Sequence, residues 1–127
     1  MTRRELVVYI AGPFRGANQW DQELNIRRAE ALALHVWERG FVALCPHLNT
    51  RHYQNYLDDD VWLTGDLELL SRCDAVLLTE RWEESVGARS EKVFAEDQEI
   101  PVFRSMGELE RWADTVTGED EVAGYGI

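Results

Sequence analysis

A glutamate and a serine on one predicted helix have the types and spacing of a catalytic site. Glu91 follows Gly87 by four residues, so the two positions share a helix face. Ser85 is a good N-cap, which starts the helix at Val86 and turns its first amides toward the ligand side. A carboxylate facing a crevice through the gap left by glycine is able to act as a nucleophile or base. The alternative is an ordinary solvated glutamate.

A second acid stands on the preceding predicted helix. Asp66 lies four residues after Trp62 and three before Leu69, on a partly apolar face. Partial burial would make its pKa tunable and suit it to move a proton. The chain has 24 acidic residues, so a plain surface aspartate is the alternative.

A glycine-rich turn follows the first apolar run. Its residues are Gly12, Pro13, Phe14, Arg15 and Gly16. Because a helix begins just after it, free N–H groups and the helix dipole favour an anion there, and an arginine adds a charge-assisted contact to phosphate or carboxylate. The lysine and hydroxyl of a Walker loop are missing, as is a Gly-x-Gly-x-x-Gly fingerprint. A turn that only joins two elements is the alternative.

The segment from Pro46 to Tyr53 is polar, aromatic and longer than a simple connection needs, which is typical of loops that line sites. We count His47 among the substrate-binding candidates. Together with His52 and Cys45 it raises the question of a metal, but the spacing matches no known metal motif. We predict neither a metal nor a cofactor.

The elements that position these residues alternate between short apolar runs and amphipathic helices. The predicted strands cover 6–11, 41–45, 74–79 and 100–103, and the predicted helices 19–39, 60–72, 86–98 and 106–115. This alternation predicts a single flavodoxin-like, three-layer α/β domain over 1–117, with a parallel sheet of four to five strands and a flexible tail over 118–127. Ligands bind beyond the carboxyl ends of such strands, which selects the loops 12–17, 46–53 and 80–87.

Composition restricts the partners. The net charge of −11 argues against binding to a nucleic-acid backbone, which requires clustered Lys and Arg. No apolar run is long enough to span a membrane, and no cleavable leader is evident. Cys45 and Cys73 are typical of buried free thiols, so we expect a cytoplasmic protein. Since a small anionic ligand needs only one local cation, we expect its partner to be a small molecule.

Three segments taken in order resemble the nucleoside 2-deoxyribosyltransferase superfamily over roughly 6–104. They are the run from Tyr9 to Gly16, Asp66 with Cys73-Asp74, and Ser85-x-Gly87-x-x-x-Glu91-x-x-x-Ala95. The chain is also similar to deoxynucleoside 5′-monophosphate N-glycosidases and to small bacterial and phage domains of this group. The resemblance implies that Glu91 attacks the sugar C1′ and Asp66 assists. It also implies that the first loop and Ser85 hold the sugar or its 5′-phosphate.

The resemblance leads us to expect an N-glycosidase or transferase, with hydrolysis favoured because no second base site is evident. Phe14 or Trp82 would cover the base. Two departures bear on the substrate: Val93 replaces a frequent glycine, and Glu83 and Glu84 place acids beside the predicted site. The alternatives are a noncatalytic nucleotide-sensing module and a nicotinamide-dinucleotide glycohydrolase.

We also expect a homodimer or higher homo-oligomer. The resemblance implies one, and Tyr53, Tyr56 and Trp62 look exposed around the second loop and the helix after it. Internal packing of these aromatics is the alternative.

Overall fold

A four-stranded parallel sheet organises the computed structural model, which describes residues 1–118. The strands are β1 Val7–Ala11, β2 Val42–Leu44, β3 Ala75–Leu78 and β4 Val102–Phe103. Their spatial order is β2-β1-β3-β4, and every neighbouring pair is parallel. This is a flavodoxin-like arrangement, and it confirms the predicted α/β class with four strands.

Five helices connect and follow the strands. They are α1 Gln19–Glu38, α2 Pro46–Asn49, α3 Asp59–Ser71, α4 Val86–Asp97 and α5 Met106–Thr117. The four longer helices confirm the predicted ones to within about two residues at each end. The second predicted loop needs a correction, because α2 occupies its first half. Pro46 at the first position of that helix fixes a helical φ where no N–H is needed.

Polar side chains fix where the helices start. Asn18 accepts from the amide of Asp21 at 2.8 Å, and Ser85 accepts from the amide of Ala88 at 3.1 Å. Each satisfies one of the free N–H groups of a first helical turn. The predicted N-caps of α1 and α4 are therefore confirmed.

Side chains of the central strands alternate between two cores. Val8 and Ile10 of β1 pack with Ala33 of α1 and Leu109 of α5. On the other face, β1 and β3 pack with α3 and α4, through Tyr9, Ala11, Val76, Leu78, Leu70 and Ala95. Period-two alternation thus directs Tyr9 into the layer formed by α3 and α4.

An ion cluster closes the sheet at its amino end. Arg3, only 1% exposed, donates to Glu110 and Asp114 of α5 at 3.0 Å each and lies over the ring of Phe41 at 5.0 Å. Arg39 joins the same Glu110 carboxylate at 2.7 Å. The cluster therefore ties the N-terminus and the end of α1 to the last helix.

Within residues 1–118, no helix combines the length and apolar character needed to cross a membrane. Apart from Gly118, the predicted tail over 118–127 lies outside the described residues.

Candidate functional site

A phenol and a carboxyl group meet on the α3/α4 side of the sheet, and a second carboxyl lies within electrostatic reach of both. The hydroxyl of Tyr9 in β1 donates to Oε2 of Glu91 in α4. Asp66 of α3 is close enough that its charge acts on both Tyr9 and Glu91. The structure thus brings together the two acids predicted from sequence, Glu91 and Asp66, and adds a third member.

Burial changes the acidity of all three groups. It raises the pKa of Glu91 to about 7, with a further increase from the Asp66 charge and an opposing decrease from the Tyr9 hydrogen bond. Burial also raises the pKa of Asp66 to about 6, and it raises the pKa of Tyr9 so far that the phenol stays protonated. Near neutral pH, the pair of acids is therefore able to hold one proton and one negative charge.

The start of α4 leaves space beside this cluster. A Cβ built on Gly87 would meet only Ser85 Oγ, at 3.8 Å, so nothing else in the described chain crowds that position. The Ser85 hydroxyl oxygen accepts the capping bond from the amide of Ala88, and its hydrogen remains available to donate to a ligand. A ligand can therefore approach the first turn of α4 closely.

Close packing and a histidine hold the first loop. A Cβ on Gly12 would lie 1.9 Å from Oγ1 of Thr79, so only glycine lets the ends of β1 and β3 approach this closely. Burial lowers the pKa of His47, and the neutral ring donates from Nε2 to the carbonyl of Pro13 at 2.8 Å. Phe14 packs edge-on against that ring, with centroids 5.4 Å apart. His47 is thus placed to position the loop.

The end of the first loop is held by Asn25 and carries the side chain of Arg15. Asn25 of α1 donates to the carbonyls of Phe14 and Arg15, at 3.3 and 3.1 Å. A Cβ on Gly16 would lie 2.5 Å from Cβ of Asp21, so the loop passes tightly over the start of α1. Arg15 itself points away from its own loop and pairs with Asp59 in the first turn of α3.

Trp82 lines a cleft that the two acids do not line. Its ring lies between Lys92 and Arg104, at 5.8 and 5.4 Å, and packs against the α3/α4 core. It lines a cleft of about 540 Å³ beyond β3, together with Thr79, Arg104 and Met106, and neither Asp66 nor Glu91 lines that cleft. Of the two aromatics predicted to cover a base, Phe14 stands on the loop that follows Tyr9's strand.

Sequence reasoning did not select Tyr9 as a site residue. The available signal was a phenol in an otherwise aliphatic strand, because a buried tyrosine hydroxyl needs a polar partner.

Within residues 1–118, no group of three or more His, Cys, Asp or Glu side chains could hold a metal ion.

Residues 6–104 match the family model described as a domain of unknown function, DUF4406, and the chain belongs to that family. No curated protein matches the chain. The family description names no reaction or ligand, so the chemistry of Tyr9, Asp66 and Glu91 has to suggest the function.

Proposed function

We propose that this member of the DUF4406 family is an N-glycosidase of the nucleoside 2-deoxyribosyltransferase type, acting on a nucleoside or nucleotide. The observation that carries the proposal is the cluster of Tyr9, Glu91 and Asp66. Two acids with raised pKa values lie within electrostatic reach of each other, one of them held by a phenol. Pairs of this kind divide nucleophile and proton-donor roles in retaining glycosidases.

In the first step, a carboxylate oxygen of Glu91 bonds to C1′ as the C1′–N bond to the base breaks. The electron pair of that bond leaves with the base nitrogen, and the carboxyl of Asp66 supplies the proton. The transition state resembles an oxocarbenium ion, which the negative charge of Glu91 stabilises. Tyr9 holds one Glu91 oxygen, so the other faces the sugar.

In the second step, water attacks C1′ and the ester bond to Glu91 breaks. The Asp66 carboxylate takes the proton from water, which restores both acids to their starting states. Two displacements at C1′ retain its configuration. Transfer to a second base would use the same intermediate, and hydrolysis is favoured because no second base site is evident.

Other residues have supporting roles in the proposal. The first loop, Gly12 to Gly16, would hold the sugar, with Phe14 against the base and His47 fixing the loop. The amides after Ser85 and the space at Gly87 would admit the sugar to Glu91. Trp82 would act at the edge of the site, since it lines the neighbouring cleft.

A panel of nucleosides, nucleotides and nicotinamide dinucleotide tests the function. We expect free base to appear from a deoxynucleoside or its monophosphate. Binding without turnover would instead indicate a sensing module, and release of nicotinamide a dinucleotide glycohydrolase. Either result would contradict the proposal.

The proposal includes a homo-oligomer in the cytoplasm. Tyr53 and Tyr56 are exposed, at 53% and 85%, and so are Leu57, just before α3, and Leu63, within it, so this part of the chain presents several large apolar side chains to solvent. Trp62, in contrast, is half-buried and packs on Tyr53 with centroids 5.8 Å apart. Light scattering at micromolar protein tests the assembly, and a monomeric mass would contradict it.

The proposal of a cytoplasmic location rests on two buried free thiols, Cys45 and Cys73.

A further inference from the structure

An ion pair connects the first loop to the start of α3. Arg15, in the loop after β1, donates from Nη2 to a carboxylate oxygen of Asp59, in the first turn of α3. The side chains are 72% and 49% exposed, so both remain in contact with solvent and with any ligand that enters. The guanidinium predicted to bind phosphate therefore already has an anionic partner supplied by the chain.

The pair lies further out than the reacting carboxyl groups. Asp59 and Asp66 are seven residues apart on α3, which is two turns, so they share a helix face about 10 Å apart. The charge of Asp66 acts on Tyr9 and Glu91, whereas Asp59 lies in the first turn of α3 and is about half exposed. A ligand with C1′ at Glu91 would present a more remote part of its structure to the ion pair.

The chemistry of this pair discriminates between a hydroxyl and a phosphate. A hydroxyl both donates and accepts, so it can bond to the carboxylate of Asp59 and the guanidinium of Arg15 without separating them. A phosphate dianion only accepts, so it must share or displace the carboxylate.

We propose that Asp59 is a specificity-determining residue that, by holding Arg15, makes the site select unphosphorylated nucleosides over their 5′-monophosphates. This inference rests on the proposed function in taking a nucleoside as the ligand. It deepens that function by naming the substrate class and a residue that sets it.

Binding to catalytically disabled protein tests the inference without relying on turnover. In a Glu91→Gln background, titration calorimetry would compare a deoxynucleoside with its own 5′-monophosphate. We expect the nucleoside to bind roughly 10-fold more tightly, and Asp59→Asn to reduce this preference at least about fivefold by improving monophosphate binding. The preference should also diminish as salt screens the charges.

Asp60→Asn is the matched control. It removes the same charge from the same helical turn, whereas the residue that pairs with Arg15 is Asp59. We expect it to change the preference by less than about twofold, because the effect of an exposed charge without direct contact is weak. Thermal unfolding of both variants would confirm that they fold.

Three results would overturn the inference: a parent preference for the monophosphate, equal effects of the two variants, or binding of neither compound. Base release from the parent protein is a separate measurement. If the preference follows Asp59 but no base is released, the N-glycosidase proposal fails while the specificity inference stands.

Discussion

The hydroxyl of Tyr9 donates a hydrogen bond to Glu91 across the interface between β1 and α4. This bond favours the ionised carboxylate, whereas burial favours the protonated one, and the balance leaves the Glu91 pKa at about 7. A nucleophile with a pKa near neutrality is ionised in a large fraction of molecules and still basic enough to attack.

Replacing Tyr9 with phenylalanine tests this balance. Loss of the hydrogen bond should raise the Glu91 pKa further and free the attacking oxygen to rotate. We expect turnover at pH 7 to fall roughly 10- to 100-fold, the range for a bond to a charged group, and the acidic limb of the pH profile to move to higher pH.

Tyr53→Phe is the control, because Tyr53 is exposed and its hydroxyl makes no hydrogen bond within residues 1–118. It should leave both turnover and the pH profile unchanged. An unshifted acidic limb in Tyr9→Phe would show that the phenol does not tune Glu91.

Replacing Asp66 with asparagine should separate the two limbs of the pH profile. In the proposed first step, Glu91 must be ionised and Asp66 protonated, whereas their pKa values of about 7 and about 6 leave the single proton more often on Glu91. The reacting form is therefore a minority of the molecules, and it is most populated between pH 6 and 7, where the rate should be greatest. Asparagine cannot supply the proton, so turnover should drop roughly 100-fold and the alkaline limb should disappear.

The same variant should leave Glu91 as the only one of the two acids that titrates. Burial still raises the Glu91 pKa and the Asp66 charge no longer does, so the acidic limb should report Glu91 alone at or below about pH 7. Kinetics from pH 4.5 to 9 would check both effects. Asp74→Asn is not a suitable control, because Asp74 accepts a hydrogen bond from the amide of Val7 and its replacement would disturb the fold. Activity within about twofold of the parent would remove Asp66 from the mechanism.

The sequence was most informative about the fold and the order of its elements. Continuous apolar runs, N-caps at Asn18 and Ser85 and Gly40 after α1 are local signals, so they predict strands and helix limits without tertiary information. Glu91 and Asp66 were selectable because helical spacing places each on a defined face.

Contacts between distant residues were not predictable in this way. The pairing of Tyr9 with Glu91 spans 82 residues and that of Arg15 with Asp59 spans 44, and both depend on how the helices pack on the sheet. Nothing in the sequence selects Arg3 for special attention, although it is almost fully buried against residues more than 100 positions away. No local pattern distinguishes it from its exposed neighbour Arg4.

The buried cluster around Arg3 should contribute to stability. Arg3→Met keeps a long apolar side chain against Phe41 but leaves Glu110 and Asp114 without this partner. We expect the free energy of unfolding to fall by about 2 kcal/mol, less than for a fully buried pair because both carboxylates retain some solvent contact.

Arg72→Met provides the comparison in denaturant titrations. Arg72 pairs with Glu68 one helical turn away, and both side chains are mostly exposed. Its loss should cost no more than about 0.5 kcal/mol. Equal losses for Arg3→Met and Arg72→Met would show that burial adds nothing to the Arg3 pairs.

Replacing Glu91 with glutamine should abolish turnover and stabilise the folded protein at alkaline pH. The amide keeps the shape and can still accept from Tyr9, but it lacks the attacking charge, so turnover should fall by several powers of ten while ligand binding persists. Glu83→Gln, an exposed acid from the neighbouring loop, should retain near-parent turnover. A slowly released sugar analogue should add one glycosyl unit to the parent, and peptide mapping should locate it on Glu91.

The sign of the stability effect follows from the raised pKa of Glu91. Between the ordinary glutamate pKa of 4.5 and the raised pKa of about 7, the folded parent binds more protons than the unfolded chain, so its stability falls as pH rises through this range. Glutamine carries no such cost. The free energy of unfolding of Glu91→Gln should therefore exceed that of the parent by about 1–2 kcal/mol at pH 8. The difference should become small below about pH 5, as the glutamate becomes protonated in both states. A variant that is inactive and also less stable at pH 8 would have lost a structural contact, and Glu91 would then be a packing residue whose loss disrupts the site.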